Sequence, residues 1–499
     1  MIKHGLNQNK ACSKFCYPRR FAFFDYPYSI LFFALRSLRR FAKLLFYFMN
    51  ENIFREYDIR GVVERDLTDE TVYLISKAIG TFFNRNGAKR IAVGYDARES
   101  GTRFRDILVK GFNETGCDAV LIGKVPTPVL YQTVFTKNVD GGVMITGSHN
   151  PPNHNGFKIC LGRLTLFGSQ IQEIKEIALS DNFAQGAGGI EEIEVLRDYE
   201  NDIVSRINTV ERRLKVVVDG GNGMGGVTAV PVYEKLGFDL IKLFTEPDSN
   251  FPNHHPDPTV TENLQDAIAA VKEHKADLAI AFDGDGDRIG VVDENGRIIW
   301  GDELMILLSR EILKANPNST IIAEVKCSQN LFNDIAKNGG KPIMWKAGHS
   351  LIKAKMKESG AALAGEMSGH IFFADRFYGF DDATYAGARL LEILSKTDKT
   401  LSELLSDLPE AFSTPELRVE CTEEQKFAVV ERIAEEFSKT NEVITIDGAR
   451  ILFENGWGLV RASNTQAILV LRFEADSREN LAKIRQTVES RVQHFINSI

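Results

Sequence analysis

From Met49 onward the apolar and polar positions alternate between two periods. Arg90–Tyr95 is a short apolar run, 119–122 and 142–145 are two more, and 104–115 spaces its apolar residues as a helix does. The same rhythm restarts at 214–218, at Leu278–Phe282 and at 320–323. Repeated strand–helix units with short connections predict doubly wound, mainly parallel sheets covered by helices. The tail departs from this pattern. Residues 458–461 and 467–473 alternate as strands around a polar turn, and a helical 478–499 follows, which reads as an α+β module. Boundaries near 195, 297 and 411, the last beside Pro409 and Pro415, divide the chain into 49–195, 196–297, 298–411 and 412–499.

The first 48 residues stand outside this rhythm. They hold nine Lys/Arg against one acid, Asp25, with frequent aromatics. Their apolar runs break too early for a membrane span, and they match neither a signal nor a transit peptide. An amphipathic surface helix over 29–48, carrying Arg36, Arg39, Arg40 and Lys43, is one reading. The reading preferred here is an upstream extension, with the native protein starting at Met49, because nothing after it calls for a membrane.

Composition narrows the class. A chain of 499 residues predicts several domains, and a net charge of −8 gives no electrostatic reason to expect a nucleic-acid partner. The six cysteines (Cys12, Cys16, Cys117, Cys160, Cys327, Cys421) contain no CxxC pair. That argues against a disulfide framework or zinc site and for a reducing, cytoplasmic setting.

Residues 146–152 (Thr-Gly-Ser-His-Asn-Pro-Pro) follow the 142–145 run. Ser148 therefore sits just past a strand end, where open α/β sheets put their chemistry, on a loop that two prolines keep irregular. An ordinary polar turn is the plainer alternative. After the strand Leu278–Phe282 comes Asp-Gly-Asp-Gly-Asp-Arg, and its glycines let Asp283, Asp285 and Asp287 converge on one point. Clustered like charge calls for a cation, and hard oxygen ligands suit Mg²⁺. Asp283, Asp285, Asp287 and Glu294 also fall at calcium-loop spacing, but Arg288 stands where that loop needs glycine, and a strand precedes it where a helix belongs.

Residues 221–226 satisfy GxGxxG after a strand, with Glu246 at dinucleotide-fingerprint distance. Asp219 and Asn222 crowd the place of a pyrophosphate, so these glycines read as a tight structural turn. In 365–370 (Gly-Glu-Met-Ser-Gly-His), Glu366, Ser368 and His370 lie on one side if the segment is extended, matching vicinal sugar hydroxyls. An edge strand is the plainer alternative. His349, between glycine and serine, is more often structural than catalytic. Arg461, Ser463, Asn464 and Thr465, on the turn between the tail strands, would suit a phosphate dianion.

Together these residues resemble the α-D-phosphohexomutases, and within them the bacterial phosphomannomutase/phosphoglucomutase group, from Met49 to Ile499. The stretch 146–158 resembles the phosphoserine loop, 283–288 the metal loop, 365–370 the sugar loop and 461–465 the phosphate loop, while 55–61 is similar to the opening motif. Gly147 and Gln466 are small departures. The resemblance implies three doubly wound, mixed α/β domains plus a smaller C-terminal α+β domain around one central cleft, the last of them hinged. It implies a phosphoserine at Ser148, interconversion of hexose 1- and 6-phosphates of mannose or glucose, and a hexose 1,6-bisphosphate intermediate. Mg²⁺ would sit on Asp283, Asp285, Asp287 and the phosphoserine oxygen. Arg288 would hold the transferring group, Lys158 and His349 would exchange protons, and Glu366 and Ser368 would bind the sugar. Arg461, Ser463, Asn464 and Thr465 would grip the second phosphate, with Tyr57, Arg60, Lys326 and His370 lining the cleft. Phosphoglucosamine mutase, a metal-dependent sugar phosphatase and, more distantly, a nucleotide-binding module are the alternatives.

Overall fold

A computed structural model describes residues 49–210, 212–463 and 467–498; residues 1–48, Asn464 and Thr465 lie outside the described residues. Four sheets of seven, five, four and six strands follow one another along the chain. In the first, Gly141–Ile145, Arg90–Tyr95, Asp118–Lys124 and Ile190–Glu192 run parallel, His154–Leu161 returns antiparallel beside Gly141–Ile145, and Ile59–Val62 pairs antiparallel with it at the edge. In the second, Asp239–Leu243, Lys215–Asp219 and Leu278–Phe282 are parallel and Ile289–Asp293 is antiparallel. The third repeats the plan with Lys341–Trp345, Thr320–Glu324 and Leu363–Gly365, closed by antiparallel Ile371–Phe373. The fourth is wholly antiparallel.

The first three sheets are mainly parallel, as the sequence pattern suggests, and the placing of their antiparallel strands is positional. Each of the first three sheets ends its parallel run in a hairpin, and the polar loops found in the sequence are the tips of those hairpins. Ile145 pairs with Phe157, Phe282 with Ile289 and Gly365 with Ile371. In the fourth sheet Ala462 pairs with Leu469. The first three loops lie past the carboxyl ends of parallel strands, the place an open sheet leaves free for ligands.

Burial follows the periodicity. Val216, Val218, Leu278, Ile280 and Phe282 are all buried in a core shared with Leu304, Leu308 and Leu390. Each such side chain contributes about 1.5–3 kcal/mol on leaving water. The C-terminal module has its own core of Val429, Ile433, Ile451, Leu471 and Val488. Among the described residues no helix is long and apolar enough to cross a membrane.

Two expectations need correction. The helix placed at 104–115 begins earlier, at Ser100, and ends at Glu114; its first turn carries Gly101 and Arg103 and shows no apolar stripe. The segment 365–370 is not extended. It is a turn in which Gly369 takes φ +91° and its N–H donates to the Glu366 carbonyl at 3.0 Å.

Candidate active site

Ser148 is buried and sits in the left-handed region at φ +48°, where serine is uncommon. The surroundings hold it there. Its N–H donates to Thr146 Oγ1 at 2.8 Å, and Thr146 Oγ1 donates to Asp96 Oδ2 at 2.8 Å. Arg98, itself buried, donates to the carbonyls of Ser148 (2.8 Å), Asn150 (2.5 Å), Pro151 (2.5 Å) and His154 (2.9 Å) and faces Asp96 at 3.2 Å. Arg60 adds a bond to Asn150 Oδ1 at 2.9 Å and is held by Asp58 at 2.5 Å. Neither Asp96 nor Arg98 was singled out in the sequence. The signal available was an Asp-x-Arg directly after the strand Arg90–Tyr95, at the sheet end that also carries Ser148.

The acidic loop 283–288 meets this serine. Ser148 Oγ donates to Asp283 Oδ2 at 2.7 Å, and a side chain at Gly284 would run into the Ser148 carbonyl. Carboxylate oxygens of Asp283, Asp285 and Asp287 lie within 4.8 Å of one another, and all three residues are fully buried. Lys158 Nζ bridges Asp285 (2.6 Å) and Asp287 (2.5 Å), and Thr127 Oγ1, at the start of the helix Thr127–Thr136, donates to Asp285 at 2.5 Å. One oxygen each on Asp285 and Asp287 is buried with no hydrogen-bond partner. Three dry carboxylates, two of them with an unmatched oxygen, fit a divalent cation.

The electrostatics agree. Burial, then Asp285 and Asp287, push Asp283 well above the usual carboxylate range. Burial also opposes ionisation of Asp285, but Lys158 and Thr127 outweigh it and hold that carboxyl low. Burial works against the Lys158 ammonium, which the aspartates nevertheless raise above its ordinary pKa.

On the far side of the triad lies a second cluster. Arg288 Nε donates to His370 Nε2 at 2.9 Å, and His370 Nδ1 is 3.0 Å from Asp381 and 3.5 Å from Asp287. Lys353 donates to Asp381 at 2.9 Å, and His349 Nδ1 stands 4.0 Å from the same carboxylate. The His349 and His370 rings stack at 5.7 Å. Burial, reinforced by Lys353, keeps His349 well below its ordinary pKa and therefore neutral. Asp381 and Lys353 carried no motif signal.

The remaining residues form a linked rim. Glu366 accepts from Gly348 N–H at 2.5 Å and from Ser368 Oγ at 3.1 Å. Tyr57 donates to the Ala347 carbonyl at 3.1 Å and packs edge-on against His349. Asp447 accepts from Arg461 at 2.7 Å and from Ala347 N–H at 3.0 Å, tying the Arg461–Ser463 strand end to the His349 turn. Lys326 faces Glu416 at 3.1 Å. The glycine turn at 221–226 supports the acidic loop: Met224 N–H donates to the Gly284 carbonyl at 3.0 Å, and a side chain at Gly223 would collide with Gly284. Glu294 is bonded to Ser402, and antiparallel strands flank the acidic loop where a calcium loop would have helices.

Four family models cover the described chain. They are those of phosphoglucomutase/phosphomannomutase α/β/α domain I at residues 51–185, domain II at 197–296, domain III at 300–412 and the C-terminal domain at 416–490. The chain belongs to the phosphoglucomutase/phosphomannomutase family. This family member is 47% identical over 449 residues to the phosphomannomutase/phosphoglucomutase of Pseudomonas aeruginosa, a match covering 90% of this chain and 97% of that one. It is 46% identical over 453 residues to a phosphoglucomutase of Neisseria meningitidis, with 90% and 98% covered. Among solved structures, a phosphoglucomutase/phosphomannomutase family protein from Burkholderia thailandensis superimposes with a TM-score of 0.85 at 43% identity, covering 90% of this chain and 98% of that one.

Proposed function

We propose that this phosphohexomutase interconverts hexose 1-phosphate and hexose 6-phosphate, of mannose, glucose or both, in the cytoplasm. Ser148, carried as phosphoserine, donates its phosphoryl group to the free hydroxyl of the bound sugar phosphate. The Ser148 Oγ–P bond breaks as the sugar O–P bond forms. The resulting hexose 1,6-bisphosphate turns over in the site and returns its other phosphoryl group to Ser148.

Such transfer needs positioning and charge neutralisation more than covalent help from the protein. A divalent cation such as Mg²⁺, held by Asp283, Asp285, Asp287 and Ser148, would supply charge neutralisation on the transferring group. Lys158, kept cationic between two aspartates, and Arg288 add fixed positive charge. His349, neutral because it is buried, accepts the proton of the attacking hydroxyl and gives it back in the second half. Glu366 and Ser368 offer an acceptor and a hydroxyl to the sugar in either orientation, His370, Tyr57, Arg60 and Lys326 line the site, and Arg461 and Ser463, with Asn464 and Thr465, bind the idle phosphate.

The observation that carries this reading is the 2.7 Å approach of Ser148 Oγ to an acidic triad with unmatched oxygens. Incubation with mannose 1-phosphate, glucose 1-phosphate or glucosamine 6-phosphate plus a trace of the matching bisphosphate tests it. Isomerised mannose or glucose phosphate, lost in Ser148→Ala, is expected. Release of inorganic phosphate would instead mean a phosphatase, and turnover of glucosamine 6-phosphate alone a phosphoglucosamine mutase.

A further inference from the structure

Arg450, on the C-terminal strand Ala449–Phe453, is fully buried, yet among the described residues no carboxylate lies within ion-pair distance of it. Its guanidinium lies 3.8 Å from the centre of the Trp457 ring. It donates to the Val325 carbonyl at 2.6 Å, the Cys327 carbonyl at 2.9 Å and Gln329 Oε1 at 3.2 Å. The two carbonyls flank Lys326. The carbonyl of Lys326 itself accepts from Arg472 at 2.7 Å, and its N–H donates to Glu324 at 2.7 Å. Three consecutive carbonyls of one turn are thus held by two arginines of the C-terminal module.

A buried cation with no carboxylate at ion-pair distance is a costly way to fill a core, and burial, only partly opposed by the charge of Glu474, lowers the Arg450 pKa to about 10. An apolar side chain would pack against Trp457 at no such cost. What it could not supply is the bonds: Nη1 reaches both carbonyls, and Nη2, fixed beside it in the guanidinium plane, reaches Gln329.

We infer that Arg450 is a positioning residue for the proposed reaction: by gripping the carbonyls on either side of Lys326, it sets where that ammonium stands in the substrate site. This rests on the reading of Lys326 as a substrate-binding residue. It makes the C-terminal module a contributor to the site at a second place, besides its phosphate-binding turn.

The test is a double-mutant cycle on the full chain, with Arg450→Met, Lys326→Ala and the pair, read as KM and kcat for glucose 1-phosphate. Arg450→Lys serves as the second variant; it keeps the charge but loses the bond to Gln329 and the rigid plane that fixes Nη1 between the two carbonyls, and stands in should the Met variant not fold. Lys326→Ala is expected to raise KM. Either Arg450 variant should raise KM by about 10- to 100-fold, the scale on which a displaced binding group is felt, with kcat changed less. In the Lys326→Ala background the Arg450 change should add little, because the group it positions is gone. If the two effects multiply in full, or if the Arg450 variants keep the parent KM while Lys326→Ala raises it, Arg450 does not act through Lys326 and the proposal falls alone. If Lys326→Ala leaves KM unchanged while mutase activity persists, the reading of Lys326 falls and this proposal falls with it.

Discussion

Replacing Arg98 with lysine tests whether the loop around Ser148 is held in place or merely adopts its shape. Arg98 makes four bonds to carbonyls of that loop and faces Asp96 at 3.2 Å. A lysine ammonium has three protons on one nitrogen and cannot span those acceptors, so at least two of the bonds are lost. Hydrogen bonds from a charged donor are worth about 1.5–3 kcal/mol each, so the loss is roughly 3–6 kcal/mol. That exceeds the ~1–3 kcal/mol that a strained backbone residue costs, and it removes what keeps Ser148 at φ +48°. Once the loop relaxes, a shift of the serine oxygen by about 1 Å costs on the order of 100-fold. The expected outcome for Arg98→Lys is therefore a kcat lowered about 100-fold with KM nearly unchanged, since Arg98 binds the loop and not the sugar. A coupled assay of glucose 1-phosphate conversion, with trace glucose 1,6-bisphosphate, measures both constants. A variant whose kcat stays within about twofold of the parent would refute the clamp.

Asp285→Asn should abolish activity and its dependence on added Mg²⁺, and chelation of the parent should lower its melting temperature because three buried carboxylates are left facing one lysine; a chelator-insensitive enzyme would sink the metal assignment. Arg461→Ala should raise KM strongly for either sugar phosphate with less effect on kcat, and an unchanged KM would remove Arg461 from the phosphate grip. Asp382 is pushed up to about 7 by burial, against the N–H of Tyr385 and the hydroxyl of Tyr199. The folded protein then keeps a proton that the unfolded chain gives up near pH 4, so stability falls as pH rises from about 4 to 7, by at most ~1.4 kcal/mol per pH unit. Asp382→Asn, still able to cap the helix Ala383–Ser395, should flatten that slope in melting temperature against pH; an unchanged slope would mean Asp382 is ionised in the fold.

The strands were legible where an apolar run of five or six residues is bounded by turn residues. Arg90–Tyr95 and Leu278–Phe282 match residue for residue. The acidic loop and Ser148 were legible because their residue types are unusual at a strand end. The turn at 365–370 is not legible from alternation, which does not register that Gly369 reverses the chain. Asp96, Arg98, Lys353 and Asp381 stayed hidden for a different reason. Their roles are partnerships across the fold: Arg98 reaches carbonyls 50 to 56 residues away, and Lys353 meets Asp381 at a separation of 28. No local spacing encodes such a meeting.

The left-handed backbone step at Ser148 bears on which hydroxyl amino acid can carry the phosphate. Threonine has the same nucleophile, but its branched Cβ crowds this conformation, while the short side chains of aspartate and asparagine tolerate it. The proposed phosphate carrier is thus restricted by main-chain shape as much as by reactivity, and an acidic stand-in would sit more easily at this position than the chemically closer alcohol.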